Sequence, residues 1–190
     1  LDPARLLAGA APIFETVRQV RAGLAAEAPR TTLIGFAGGV FTVACYMVEG
    51  RGSKDYAAAR GMAYADPVLF GRLIRILVDA TAEYLIAQAD AGAEALMLFD
   101  SWAGMLAPSQ FRRWVIEPTA AILRLIRKRH PTIPVIGFPR LAGPLLVEYA
   151  ARAGVRTIAM DTGMDPRWAA QAIGPEITLQ GNLDPLALLA

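Results

Sequence analysis

The sequence contains very little cysteine or histidine, with one residue of each among 190. A single cysteine cannot form a disulfide within the chain, and the two residues are too few for a closed zinc site of the usual type. The sequence therefore predicts a soluble protein of a reducing compartment without a closed Cys/His zinc site. Cys45 lies in an apolar stretch and is predicted to be a core thiol. His130 ends a basic run and is predicted to lie at the surface.

An excess of one charge is also missing, because 19 basic residues face 17 acidic ones. This balance argues against nucleic acid or a membrane surface as a partner of the whole chain, and the basic run RLIRKRH has no interleaved aromatic residues. No apolar run reaches the roughly eighteen residues of a membrane span, and the first residues do not resemble a secretory leader. The chain begins without methionine, so we expect an internal part of a longer protein.

Short apolar runs alternate with helical patterns along the chain. Five runs predict strands, each followed by a helix: 31–37, 94–99, 133–138, 156–160 and 176–180. Aspartate before proline predicts helix starts at Asp66, Asp165 and Asp184, and Pro118 predicts a kink or a split. The apolar positions Ile13, Val17, Val20 and Leu24 predict the buried face of the first long helix.

Strands that are apolar throughout and separated by helices predict a parallel sheet, in a doubly wound or a barrel arrangement. The sequence contains neither G-x-G-x-x-G nor G-x-x-x-x-G-K-[ST], which disfavours a nucleotide-binding doubly wound sheet. The predicted fold is therefore an α/β (β/α)8 TIM barrel. Residues 1–190 are expected to form a single domain with about five strand-helix units, and the N- and C-terminal parts of the barrel are expected to lie outside this chain.

Functional groups of such barrels come from the carboxyl ends of the strands. Polar residues follow four of the five predicted strands: Asp100 and Ser101; Arg140; Asp161 and Thr162; Gln180, Asn182 and Asp184. Asp184 is predicted to be a helix cap, whereas Asp100 and Asp161 are open between a structural role and a ligand contact. Ser101 has no nearby histidine to activate it, so a hydrogen-bond donor is favoured over a nucleophile. This inventory favours binding of a large, flat, anionic organic molecule.

Four motifs in order and spacing carry a resemblance that covers almost the whole chain. These are LIGFAG, YMVEGRGSKD, LFDSWAG and LQGNLDP. The chain resembles the uroporphyrinogen decarboxylase family. The resemblance implies a (β/α)8 barrel, usually a cytoplasmic homodimer, that acts in porphyrin and haem biosynthesis. It removes carbon dioxide from the four acetate side chains of uroporphyrinogen III to give coproporphyrinogen III, without a metal or organic cofactor.

The resemblance also implies roles for particular residues. Tyr46 and Ser101 correspond to family residues that contact carboxylate groups of the substrate, and Phe36 and Phe99 match aromatic residues that line the tetrapyrrole cleft. The GRGSK loop either offers backbone N–H groups and cations to the substrate or is an exposed turn. The family's catalytic aspartate and its arginines lie upstream of this segment and a histidine lies downstream, so no catalytic residue is identified here.

Three departures from the family pattern leave the substrate open. They are Val40–Phe41 in place of Pro-Trp, Pro139–Arg140 in place of a lysine- and glycine-rich turn, and Thr162–Gly163 in place of Trp-Thr. One alternative is a zinc-dependent corrinoid methyltransferase of the related barrel family, whose metal ligands a missing C-terminal part would supply. The other is a non-catalytic tetrapyrrole-binding homologue.

Overall fold

The computed structural model describes residues 3–190, which form one parallel sheet with helices packed against it. Its strands are β1 (Ile34–Gly38), β2 (Ala95–Asp100), β3 (Val135–Pro139), β4 (Thr157–Ala159) and β5 (Thr178–Gln180). All five predicted strands are confirmed, and each begins one to three residues later than predicted. The apolar residues that precede each strand lead up to the sheet, but ladder pairing starts only where a neighbouring strand is in register.

The strands follow one another across the sheet in chain order, β1-β2-β3-β4-β5, and every neighbouring pair is parallel. Each new strand is therefore added at the same edge. A doubly wound sheet would reverse direction at a switch point. The sequential order is that of a barrel wall, so these residues form an arc of five strands from a (β/α)8 barrel.

Helices and short helical turns precede, connect and follow these strands. They are α1 (Pro3–Gly9), α2 (Ala11–Glu27), α3 (Val40–Glu49), α4 (Ala57–Ala65), α5 (Pro67–Asp90), α6 (Pro108–Phe111), α7 (Glu117–Arg129), α8 (Leu145–Arg152) and α9 (Pro166–Ile173), with 3-10 turns at Ala103–Met105 and Pro185–Leu188. Among the helices described, none combines the length and the apolar character that a membrane span requires.

The predicted helix starts are confirmed, and the helix is interrupted before Pro118, where a kink or a split was predicted. The carboxylates of Asp66, Asp165 and Asp184 each accept a backbone N–H two or three residues onward, at 2.9, 2.8 and 3.0 Å. Before Pro118 the helix widens into a π turn over Arg112–Ile116, so α6 and α7 are separate helical segments. Proline cannot donate to the preceding turn, which explains the interruption.

The first long helix, α2, presents a different face from the predicted one. Ile13 and Val20 are 45% and 42% exposed, whereas Phe14 is buried and its ring lies 5.7 Å from that of Tyr84 on α5. The face of α2 that packs against α5 therefore includes Phe14 rather than the neighbouring Ile13. The prediction for Ile13 and Val20 was wrong.

The two faces of the sheet have different surroundings. Leu96, Leu98 and Ile158 point towards the helices and belong to the main hydrophobic core. Met97 and Ile136 point to the opposite face, which in a closed barrel is the interior, and form a small separate cluster. Strand alternation thus separates structural residues from those that can face a ligand.

Candidate functional site

Three phenylalanine rings cross the interior face of the sheet near its carboxyl edge, and we call them the phenylalanine row. Phe36 of β1 lies 5.8 Å from Phe99 of β2, and Phe99 lies 5.9 Å from Phe138 of β3, with interplanar angles of 88° and 83°. Such edge-to-face contacts fix the ring orientations. Within residues 3–190, Phe36 is 61% exposed, and Phe99 and Phe138 are half-buried.

The sequence predicted two members of this row, Phe36 and Phe99, and missed Phe138. The signal for Phe138 was available, because "IGF" occurs in both β1 and β3 and the last residue of each triplet points to the interior face. Whether these rings contact a ligand stays a prediction.

Tyr46 lies on α3, in the long connection between β1 and β2, and is 44% exposed. Its ring packs edge-on against Tyr56 at 5.7 Å and lies 6.4 Å from Trp102. Tyr56 and Trp102 are 4.8 Å apart and complete an aromatic cluster. Because Trp102 directly follows Ser101, the cluster holds α3 beside the loop after β2. The structure thus brings the neighbourhoods of Tyr46 and Ser101 together at the same edge of the sheet.

Asp100 holds the start of α3 from the neighbouring strand. Its side chain points to the helix face and is buried, and Oδ1 accepts hydrogen bonds from Thr42 N at 3.1 Å and Thr42 Oγ1 at 2.6 Å. Thr42 Oγ1 in turn accepts a hydrogen bond from the backbone N–H of Trp102 at 3.2 Å. The N-cap of α3 is Gly39, which has no side chain to offer, so Asp100 supplies the capping carboxylate. Of the two roles left open for Asp100, the structure shows this structural one.

Burial raises the pKa of the Asp100 carboxyl to about 6, although the hydrogen bonds from Thr42 oppose the rise. In an unfolded chain the carboxyl has its ordinary pKa of 3.8. Between these two values the unfolded state binds fewer protons than the folded one, so the contribution of Asp100 to stability falls as the pH rises through this window. Above about pH 6 the contribution of Asp100 to stability no longer changes with pH.

Asp100→Asn tests this pH dependence, since asparagine keeps an acceptor oxygen for Thr42 but does not titrate. We expect the stability of wild type relative to Asp100→Asn to fall by about 2 kcal/mol between pH 4 and pH 7. Urea unfolding of both full-length proteins at the two pH values measures this difference. A difference that is constant with pH contradicts the buried, titrating carboxyl.

Asp161, the other open aspartate, holds two loops in place. Its carboxylate accepts the N–H of Leu141 at 2.8 Å and that of Gly163 at 3.0 Å. Leu141 has a φ of 59°, which a residue other than glycine adopts only when its surroundings hold it there. Asn182 Nδ2 donates to the Asp161 carbonyl at 2.7 Å. These contacts give Asp161 a structural role at the rim.

The GRGSK loop between α3 and α4 is anchored by its polar neighbours. Ala58 N donates to Glu49 Oε1 at 2.8 Å, and Tyr56 N donates to Ser53 Oγ at 3.2 Å. Arg51 and Lys54 are exposed, and within the described residues neither forms an ion pair. A contact of this loop with substrate stays a prediction.

The lone cysteine and histidine lie far from each other in the fold. Cys45 is fully buried in α3, and burial raises the pKa of its thiol to about 12. His130 follows α7 at the amino edge of the sheet, partly exposed, and its Nε2 lies 2.9 Å from Asp90 Oδ1. In the part of the chain that the structure describes, no three His, Cys, Asp or Glu side chains converge in a way that could hold a metal ion.

The fold and the carboxyl edge of the sheet define a class of protein. It is a (β/α)-barrel whose interior is lined by aromatic rings, whose rim carries hydroxyls, and whose main hydrophobic core lies between the sheet and the helices. A model of the family described as "Uroporphyrinogen decarboxylase (URO-D)" matches residues 1–190. The chain belongs to the uroporphyrinogen decarboxylase family.

Individual relatives give the same assignment. A uroporphyrinogen decarboxylase of Gluconacetobacter diazotrophicus is 57% identical to this chain. The alignment covers 100% of this chain and 56% of that relative. One of Granulibacter bethesdensis is 55% identical, with coverage of 100% and 55%. The chain thus spans about half the length of the curated relatives it matches.

A solved structure shares the fold. A methyltransferase from Methanosarcina mazei superimposes with a TM-score of 0.73 over 90% of this chain and 48% of its own, at 17% identity. At that identity the likeness concerns the barrel alone.

Proposed function

We propose that the full-length protein is a uroporphyrinogen decarboxylase that converts uroporphyrinogen III to coproporphyrinogen III. The observation that carries the proposal is the phenylalanine row beside Tyr46 and Ser101, in a chain that is 57% identical to a named uroporphyrinogen decarboxylase. A macrocycle of four pyrrole rings with carboxylates at its periphery needs an apolar surface for its rings and hydrogen-bond donors at the rim for its charges. The described edge of the sheet offers both.

In each of the four steps, the bond between an acetate methylene carbon and its carboxyl carbon breaks and carbon dioxide leaves. The bonding electron pair passes into a pyrrole ring that has first been protonated, and a second proton then converts the methylene carbon to a methyl group. The ring releases the first proton as the aromatic pyrrole is restored, so each step consumes one proton net. A carboxylate near the ring stabilises the cation, a role that the family assigns to an aspartate upstream of this segment. Asp100 is buried on the helix face and is engaged by Thr42, so it is not a replacement.

The residues of this chain bind and orient the substrate in this proposal. The hydroxyls of Tyr46 and Ser101 donate to its carboxylates, and the rings of Phe36 and Phe99 pack against the macrocycle. Orientation of the reacting acetate relative to the proton donor is itself a large part of the rate. The proposal also includes the whole (β/α)8 barrel as one domain, a homodimer and a cytoplasmic location, which the family resemblance supports.

Anaerobic incubation of the full-length protein with uroporphyrinogen III tests the proposal. Chromatography of the oxidised products follows carboxyl loss. We expect successive seven-, six-, five- and four-carboxyl porphyrins without added metal. Intact substrate would contradict the proposal. In that case, stoichiometric zinc in the purified protein would indicate the methyltransferase, and tight uroporphyrin binding without turnover would indicate a binding protein.

A further inference from the structure

Arg140 has an unusual environment among the arginines that the structure describes. Four of them are half-buried, and three of these have an acceptor: Arg21 with Glu94, Arg60 with the Asp55 carbonyl and Arg112 with Glu148. Within residues 5–190, the fourth, Arg140, has no hydrogen bond and no ion pair from its side chain. A cation that loses part of its hydration without gaining a partner is costly, so the site calls for an anion.

The register of the sheet places Arg140 beside Ser101. Asp100 pairs with Pro139, and the Arg140 N–H donates to the Asp100 carbonyl at 3.1 Å, which continues the ladder by one residue. Ser101 and Arg140 directly follow β2 and β3, two positions after Phe99 and Phe138, and continuing the alternation of these strands by one residue gives both side chains the interior face. Neighbouring strands are about 4.8 Å apart, so one ligand group can reach both side chains.

The backbone around Arg140 is fixed on both sides. Gly104 N donates to the Arg140 carbonyl at 3.0 Å, and this loop packs so closely that a side chain at Gly104 would meet the Leu141 carbonyl. On the other side, Leu141 N donates to Asp161. Asp161 is the acidic group of this rim, and its two oxygens accept from Leu141 and Gly163 rather than from Arg140. The backbone at Arg140 is therefore fixed, and within the described residues Asp161 does not occupy its guanidinium.

We propose that Arg140 binds a carboxylate side chain of the tetrapyrrole together with Ser101. This inference rests on the proposed function and names a substrate contact within the same site. A guanidinium presents two parallel N–H donors to a carboxylate, and the serine hydroxyl adds a third. This fork of two N–H donors on the guanidinium also favours binding of a planar carboxylate over a neutral substituent.

A binding titration tests the role, with uroporphyrin III, the oxidised and unreactive octacarboxylate, and the full-length protein. Arg140→Gln is expected to raise the Kd roughly tenfold or more, because a charge-assisted hydrogen bond is lost. Arg140→Lys keeps the charge without the fork and is expected to give an intermediate Kd. The matched control is Arg124→Gln on the outer helix α7, which is expected to bind as wild type does.

Thermal unfolding of the same variants separates binding from stability. A raised Kd with an unchanged unfolding midpoint supports the inference. An unchanged Kd, with or without a lower midpoint, overturns it, and a lower midpoint would mean that Arg140 pairs with an acidic group of the protein. The decarboxylation assay of wild type is read separately. Turnover by wild type together with wild-type binding by Arg140→Gln defeats this inference alone. Uroporphyrin binding without turnover defeats the proposed function alone, and wild type that neither binds uroporphyrin nor turns over uroporphyrinogen III defeats both.

Discussion

Replacing Gly39 with alanine is expected to lower the free energy of unfolding of the full-length protein by roughly 3 to 5 kcal/mol. A Cβ at this position would lie 2.5 Å from both Cβ and Cγ of Asp100. Gly39 cannot move away easily, because its N–H donates to the Phe99 carbonyl at 2.8 Å. Asp100 would have to shift instead, and its hydrogen bonds to Thr42 would be strained or lost.

The same change is expected to reduce activity, since the bonds from Asp100 to Thr42 and from Trp102 to Thr42 join α3 to the end of β2. Gly52→Ala is the matched control, because no atom lies within 4 Å of a Cβ built there. Urea unfolding of both variants gives the comparison. Equal stabilities for the two variants would show that the α3 and β2 segments adjust without cost, contrary to the packing described.

Tyr46→Phe is expected to lower the turnover of the full-length enzyme roughly ten- to hundredfold and to leave the fold intact. The substitution removes one hydroxyl, which we propose donates to a substrate carboxylate. The phenyl ring retains the packing against Tyr56 and Trp102, so the aromatic cluster and the position of α3 are preserved.

Steady-state kinetics with uroporphyrinogen III, together with the unfolding midpoint, measure this effect. Tyr64→Phe serves as the control, since Tyr64 is an exposed tyrosine on the neighbouring helix α4 and is 58% exposed. The control is expected to have wild-type kinetics. If Tyr46→Phe also turns over at the wild-type rate, Tyr46 is not part of the site.

The strands and the helix starts could be predicted from the sequence because the information is local. Runs such as 94–99 are apolar throughout, as a strand covered by helices requires, and the helices between them begin at aspartate caps such as Asp66. The aromatic positions Phe36 and Phe99 were also predictable, through their place at the carboxyl ends of strands in motifs that resemble a family.

The capping of α3 could not be predicted in this way. Asp100 and Thr42 are 58 residues apart in the chain, and nothing in either segment indicates the other. The sequence left Asp100 open between bracing its own loop and touching a ligand, whereas it caps a helix of the preceding unit. The face of α2 was missed for a related reason, because the partner that selects Phe14 over Ile13 is Tyr84 on α5.

We propose that the interior face with the phenylalanine row is the surface that binds the tetrapyrrole, and a single pair of variants tests this. The Kd of full-length Phe99→Leu for uroporphyrin III is compared with that of Phe14→Leu, whose ring packs between α2 and α5 on the helix side. We predict a roughly tenfold weaker Kd for Phe99→Leu, because the central ring of the row is lost, and a wild-type Kd for Phe14→Leu. Equal affinity of Phe99→Leu and wild type would contradict the claim.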